Sequence, residues 1–174
     1  MKILIGFLAL VAILVVVISL RPNEFKISRS ISISAAPEIV FAQVNDHRRW
    51  EVWSPWSKLD PNMKKTFEGP QWGVGAIYKW AGNNQVGEGV STIIESRPNE
   101  LIKMKLDFMK PFKSSSDVEF AFVSEGTQTV VTWSMSGKNN FIGKAMSLFM
   151  DCQKMVGGQF DSGLAQLKNV VEKL

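Results

Sequence analysis

Ala36 to Trp56, APEIVFAQVNDHRRWEVWSPW, is the stretch whose reading decides the fold. Pro37 suits a first helical turn, where its missing N–H would be unpaired anyway, and Ser34 is placed to act as an N-cap acceptor. Ile39, Val40 and Val44 recur at helical spacing with Phe41 beside them, and Asp46 closes the run. Trp50, Trp53 and Trp56 follow at three-residue steps until Pro55 stops any regular helix. The pattern predicts two short helices tied together by aromatic side chains. Half of the six tryptophans and the only histidine, His47, lie here.

Before this stretch, Phe25 to Ser34 alternates strictly. Phe25, Ile27, Ile31 and Ile33 share one face, interrupted by Arg29, which predicts a half-buried strand. After it the chain reads as strands separated by turn residues. Met63–Glu68 is a weak candidate, and Ala76–Trp80 places Tyr78 and Trp80 on one face. Val86–Glu95 is phased with Val86, Glu88, Val90, Thr92 and Ile94 together, leaving Gly87 and Gly89 opposite for a bend or a close approach. Leu101–Phe108 presents Ile102, Met104, Leu106 and Phe108 on one side, and Met109–Ser116 is read as a loop. Asp117–Ser124 presents Val118, Phe120 and Phe122, Glu125-Gly126 marks a hairpin, and Thr127–Ser136 presents Val131, Trp133 and Met135. Asn139 or Asn140 then caps a helix from Phe141 to Met150. A longer one, Gln153–Leu174, carries Val156, Phe160, Leu164, Leu167 and Val171 at steps of three and four. Gly157, Gly158 and Gly163 inside it each cost up to ~1 kcal/mol against alanine, so something should approach the backbone closely.

The fold class that follows is α+β, an antiparallel sheet of about seven strands covered by the C-terminal helix. Residues 25–174 form this domain. Residues 1–21 read differently. Ile3 to Leu20 is almost wholly apolar, and as a helix would reach roughly 27 Å, which predicts a single-pass transmembrane helix. The Ile18-Ser19-Leu20-Arg21 ending is a poor signal-peptide cleavage site, and no lipobox cysteine is present. Almost nothing precedes the apolar segment, so the domain after it is expected on the periplasmic or extracytoplasmic side, although Arg21, Lys26 and Arg29 by charge counting favour the opposite.

A formal charge of +4 without a basic block gives no footprint for nucleic acid. One cysteine, Cys152, excludes an internal disulfide, and one histidine with one cysteine gives no transition-metal spacing. No cofactor is implied. His47, beside Arg48 and Arg49, is expected as an exposed junction residue.

The segment RSISISAAPEIVFAQVNDHRRWEVWSPW, Arg29 to Trp56, resembles the START-like (SRPBCC) superfamily, and within it the polyketide cyclase/dehydrase and lipid-transport branch. There, Ala-Pro-x-x-Val-Phe is followed by Val-x-Asp, a tryptophan and Trp-Ser-Pro-Trp. Here these are Ala36, Pro37, Val40, Phe41, Val44, Asp46, Trp50, Trp53, Ser54, Pro55 and Trp56. The resemblance implies a helix-grip fold, a curved sheet around one long helix with a pocket between them. It implies a hydrophobic small molecule or lipid as partner, with Trp53, Trp56, Tyr78, Trp80, Met104, Phe108, Phe120, Phe122, Trp133, Met155 and Gly158 as candidate ligand-binding residues. Glu88 and Tyr78 would be the acid/base pair of a cyclase, dehydratase or isomerase alternative. A protein-interaction or chaperone-assisting role is the third reading, and would show as an exposed apolar patch.

Overall fold

The structure is a computed structural model and describes residues 2–148 and 151–174. Its order is α1 (Lys2–Ser19), β1 (Glu24–Ile33), α2 (Pro37–Val44), two 3-10 turns (His47–Val52 and Pro55–Lys58), β2 (Lys64–Glu68), β3 (Ile77–Ala81), β4 (Glu88–Arg97), β5 (Leu101–Lys110), β6 (Ser114–Glu125), β7 (Gln128–Lys138), α3 (Phe141–Met146) and α4 (Cys152–Val171). All seven strands form one antiparallel sheet in the order β1-β7-β6-β5-β4-β3-β2. The first and last long strands thus meet, and α4 covers the inner face. This is the helix-grip arrangement.

Alternation sets the inner face. Ile27 and Ile33 of β1, Ile102 and Met104 of β5, Val118, Phe120 and Phe122 of β6, and Val131 and Trp133 of β7 are all buried. They pack against Phe160, Leu164, Leu167 and Val171 of α4 and Val40, Phe41 and Val44 of α2. Pro37 opens α2 as the sequence suggests, but Ala36 is its N-cap and contributes no side-chain bond. Ser34 plays a different part: its backbone N–H donates to Glu172 Oε1 at 2.8 Å, tying the end of β1 to the end of α4. Asn45 is the C-cap of α2, and Asp46 caps the first 3-10 turn, accepting from the Arg48 backbone N–H at 2.9 Å.

Two strand segments depart from expectation. The loop expected over Met109–Ser116 is mostly strand: β5 runs to Lys110 and β6 starts at Ser114, so only residues 111–113 turn. β4 is phased the other way, with Gly89, Ser91 and Ile93 inward. Glu88 sits outside, its Oε1 2.7 Å from Lys110 Nζ, and Ile94 is half exposed. Register shifts on either side of that stretch, at Glu88/Gly89 and Ile93/Glu95, account for the changed phase.

The transmembrane expectation also needs correction. An apolar helix does form at Lys2–Ser19, but its 18 residues give about 27 Å, near the short end of spanning lengths. Among the described residues no helix is long and apolar enough to cross a membrane. The end of α1 abuts α3, where Lys144 Nζ donates to the Ser19 carbonyl at 3.2 Å. Of the helix expected from Phe141 to Met150, α3 covers Phe141–Met146, and Phe149 and Met150 lie outside the described residues.

Candidate functional site

The aromatic stretch organises one wall of the interior. Trp133 of β7 is its hub. It stacks on Phe160 of α4, with centroids 4.2 Å apart and planes 8° from parallel, and on its strand neighbour Phe120 at 4.7 Å. Trp50, Trp53 and Trp56 approach it edge-on at 6.3, 5.9 and 5.6 Å. Such edge-to-face pairs add to plain burial because the positive ring edge meets a negative face. Trp50 and Trp53 are further fixed by indole N–H bonds to the carbonyls of Val44 and Gln43. The two 3-10 turns are therefore clamped to α2 at one end and to the sheet at the other.

Beyond Trp133 the packing opens. A cavity of about 200 Å3 lies between α4, the 3-10 turns and the inner face of β3–β7. That is many times the space one water needs. Its walls include Trp56, Trp133 of β7, Tyr78 and Trp80 of β3, and Met104 and Phe108 of β5. Val156 and Phe160 form the α4 wall. Among the described residues lining it, none carries a formal charge. Its polar side chains are Ser54, Ser57, Tyr78, Gln85 and Ser91.

The small residues make this space. The Gly89 position faces the Trp80 ring across the β3–β4 pair, and a Cβ there would run into the indole. The Trp80 indole N–H donates to the Val86 carbonyl at 3.0 Å, which holds the ring flat over the glycine. Two of the α4 glycines likewise answer to neighbours. A Cβ on Gly157 would strike the Arg29 guanidinium, and one on Gly163 would lie 2.9 Å from the Trp133 ring and 3.0 Å from Pro55 Cδ. Arg29 crosses α4 there to reach Asp161 Oδ2 at 3.1 Å, so its partner is a helix carboxylate rather than a strand one. Gly158 has open space before it.

Of the expected ligand-binding residues, Trp56, Tyr78, Trp80, Met104, Phe108 and Trp133 line the cavity. Trp53, Phe120 and Phe122 do not: they are fully enclosed in the packed core. Met155 is exposed, as is Gly158, because that face of α4 turns away from the sheet. The Glu88–Tyr78 acid/base pair does not assemble, since Tyr78 faces the cavity while Glu88 lies outside against Lys110. Tyr78 is also a poor proton source, its pKa pushed up to about 12 by burial and then by Glu51.

His47 is the largest departure. It is buried, 3% exposed, not an open junction residue. Its Nε2 lies 3.2 Å from Ser91 Oγ, and its ring lies between Trp50 at 5.3 Å and Tyr78 at 5.8 Å. Burial lowers its pKa to about 4, against a weaker opposing pull from Asp46, so the ring is neutral at pH 7. The sequence reading missed Ser91 as well, because the inward face of β4 holds a glycine and a serine where a hydrophobic signal was sought. Among the described residues no group of three or more histidine, cysteine or carboxylate side chains could hold a metal ion.

A curved antiparallel sheet gripping one helix around an uncharged cavity defines a helix-grip protein. Residues 24–172 match the family described as polyketide cyclase / dehydrase and lipid transport, and the chain belongs to it. Solved structures share the fold at low identity. A protein from Mesorhizobium loti aligns with a TM-score of 0.63 at 16% identity, covering 86% of this chain and 98% of that one. The Aha1 dimer from Colwellia psychrerythraea aligns at 0.62 and 18%, covering 85% and 96%. A putative protein in the dynemicin biosynthetic locus aligns at 0.59 and 13%, covering 84% and 47%. No functionally curated protein matches the chain.

Proposed function

We propose that the domain binds an apolar small molecule or lipid in the cavity between α4 and the sheet. The observation that carries this is the lining: aromatic rings and methionines from six elements surround about 200 Å3 without a charged group. Pockets of that composition suit apolar ligands, which gain from leaving water, and methionine adapts to varied shapes. The family, described by cyclase, dehydrase and lipid-transport members, supports the same reading. Binding without chemistry is favoured because the one carboxylate suggested for acid/base work faces outward. An internal cavity also favours a small ligand over a docked protein segment.

Organic extraction of the purified full chain followed by mass spectrometry is the direct test, paired with displacement of an apolar fluorophore. Leu106→Trp, which fills the cavity from β5, should cut fluorophore binding more than tenfold. Unchanged binding in that variant, with no extractable ligand, would sink the proposal.

A second element concerns α1. We propose that it holds the domain at a lipid bilayer, because Leu4, Ile5, Phe7, Leu8, Leu10 and their successors to Leu20 leave a continuous apolar surface exposed. Deleting residues 2–20 should abolish co-sedimentation of the protein with phospholipid vesicles. Equal co-sedimentation of the full chain and the deletion would refute the assignment.

A further inference from the structure

Ser91 lines the cavity from the inward face of β4 and is 4% exposed. Behind it stands His47, whose Nε2 is 3.2 Å from Ser91 Oγ and whose Nδ1 is buried with no partner among the described residues. The neutral ring has one proton for two nitrogens. On Nδ1 that proton would be a buried donor with nothing to bond, which costs more than an unfilled acceptor is seen to cost. On Nε2 it donates to Ser91 Oγ. The serine's own proton must then point away from His47. The partner it finds is Met104 Sδ at 3.7 Å, a thioether and a weak acceptor. Ser91 therefore holds a hydroxyl donor, oriented from behind, with no strong acceptor to receive it.

The remaining lining sets what can receive it. With no charged side chain in the wall, an ionised ligand group would be desolvated without a counter-charge. A ligand hydroxyl would bring a donor of its own into a mostly apolar wall. A carbonyl oxygen accepts and brings no donor. Tyr78, on the same wall and kept protonated, offers a second donor of the same kind.

We propose that the cavity selects a neutral apolar molecule bearing a carbonyl oxygen, which accepts a hydrogen bond from Ser91 Oγ, with His47 as the positioning residue behind it. This rests on the cavity being a ligand site, and the experiment separates the two claims. Equilibrium dialysis of the full chain is run with 2-acetylnaphthalene and with 2-ethylnaphthalene, which differ in shape by little more than the carbonyl oxygen. Leu106→Trp measures binding outside the cavity, for subtraction.

Ser91→Ala should weaken the ketone on the order of 5- to 100-fold, the range for stranding a buried polar group. The hydrocarbon should stay within about twofold, since it makes no such bond. His47→Leu should lose part of the ketone selectivity, and His47→Gln, which keeps an N–H near the Nε2 position, should restore it. A melting curve for each variant checks folding; Ser91→Cys, a weaker donor of similar volume, should fall between wild type and alanine. Equal losses for ketone and hydrocarbon, or an unchanged ketone affinity in Ser91→Ala, would overturn the carbonyl assignment while leaving the cavity reading intact. Wild-type protein that binds neither compound overturns both.

Discussion

The two halves of α4 face two different interiors. After Phe160, which sits at the junction, the helix presents Leu164, Leu167 and Val171, all buried in the packed core. Ahead of Phe160 it presents Val156 to a cavity and turns Met155 to solvent. The sheet beneath is continuous, so the difference comes from what stands opposite. At the filled end, Val40, Phe41, Val44 and Trp53 reach into the gap. At the hollow end, the corresponding places hold Ser54, Ser57 and Ser91, and Gly89 gives way to a flat indole. One end of the interior is built for stability and the other gives stability up for space, and Trp133 is the boundary between them.

The largest test of this division is Trp53→Ala. Removing a fully enclosed indole from the filled end should cost about 3–5 kcal/mol in chemical unfolding, the usual cost for a buried aromatic. A loss under ~1 kcal/mol would mean that the filled end is no better packed than the hollow one. Next in size is the pH response of His47, which stands behind the hollow end. Its pKa falls from 6.5 in the unfolded chain to about 4 in the folded one. Above pH 6.5 both states are neutral there and the group contributes nothing to the pH slope. Between pH 6.5 and 4 the unfolded state takes up the proton and the native state does not, so stability falls as pH falls, by roughly 3 kcal/mol in all. Subtracting the same titration of His47→Gln isolates this from the carboxylates. Parallel curves for the two proteins would contradict a buried neutral histidine.

The smallest effects sharpen the boundary itself. Gly163→Ala gains up to ~1 kcal/mol of helix propensity but pushes a methyl group against Trp133 and Pro55, for a net loss of about 1–2 kcal/mol. Gly158→Ala has open space before it and should stabilise by up to ~1 kcal/mol. Thermal melts that move both variants in the same direction would show that the helix is not held against the sheet as described.

Much of this was legible from residue patterns. The inward faces of β1, β3, β5, β6 and β7 follow from strict alternation, and five of the six expected side chains that line the cavity, Tyr78, Trp80, Met104, Phe108 and Trp133, lie on those faces. β4 was misread for a definite reason. Its apolar residues Val90 and Ile94 lie outside, its inward positions carry Gly89 and Ser91, and register shifts at both ends break the count of two. Small residues leave no hydrophobic signature, so the β4 wall of the hollow was not legible. His47 was misplaced because its neighbours Arg48 and Arg49 are charged. In a 3-10 turn, with three residues per turn, one side chain can be buried while the next two stay at the surface. Trp53 and Trp56 look alike in the sequence, and only the break between the two 3-10 turns sends one into the core and the other to the cavity wall.

The glycine notches on α4 also bear on how the domain can move. Gly157 receives the Arg29 side chain and Gly163 receives Trp133 and Pro55, six residues further along. Gly163 is the firm pin, because Trp133 and Pro55 are held in place, whereas Arg29 meets Gly157 with the movable end of a long side chain. A slide of one residue along the helix axis, or a rotation of one position, would present a Cβ to at least one of these partners. α4 is therefore indexed to β7, and a piston stroke over the cavity would first have to displace Trp133 or Pro55. A molecule that enters or leaves the cavity must do so past α4 in this register, without the helix sliding along the sheet.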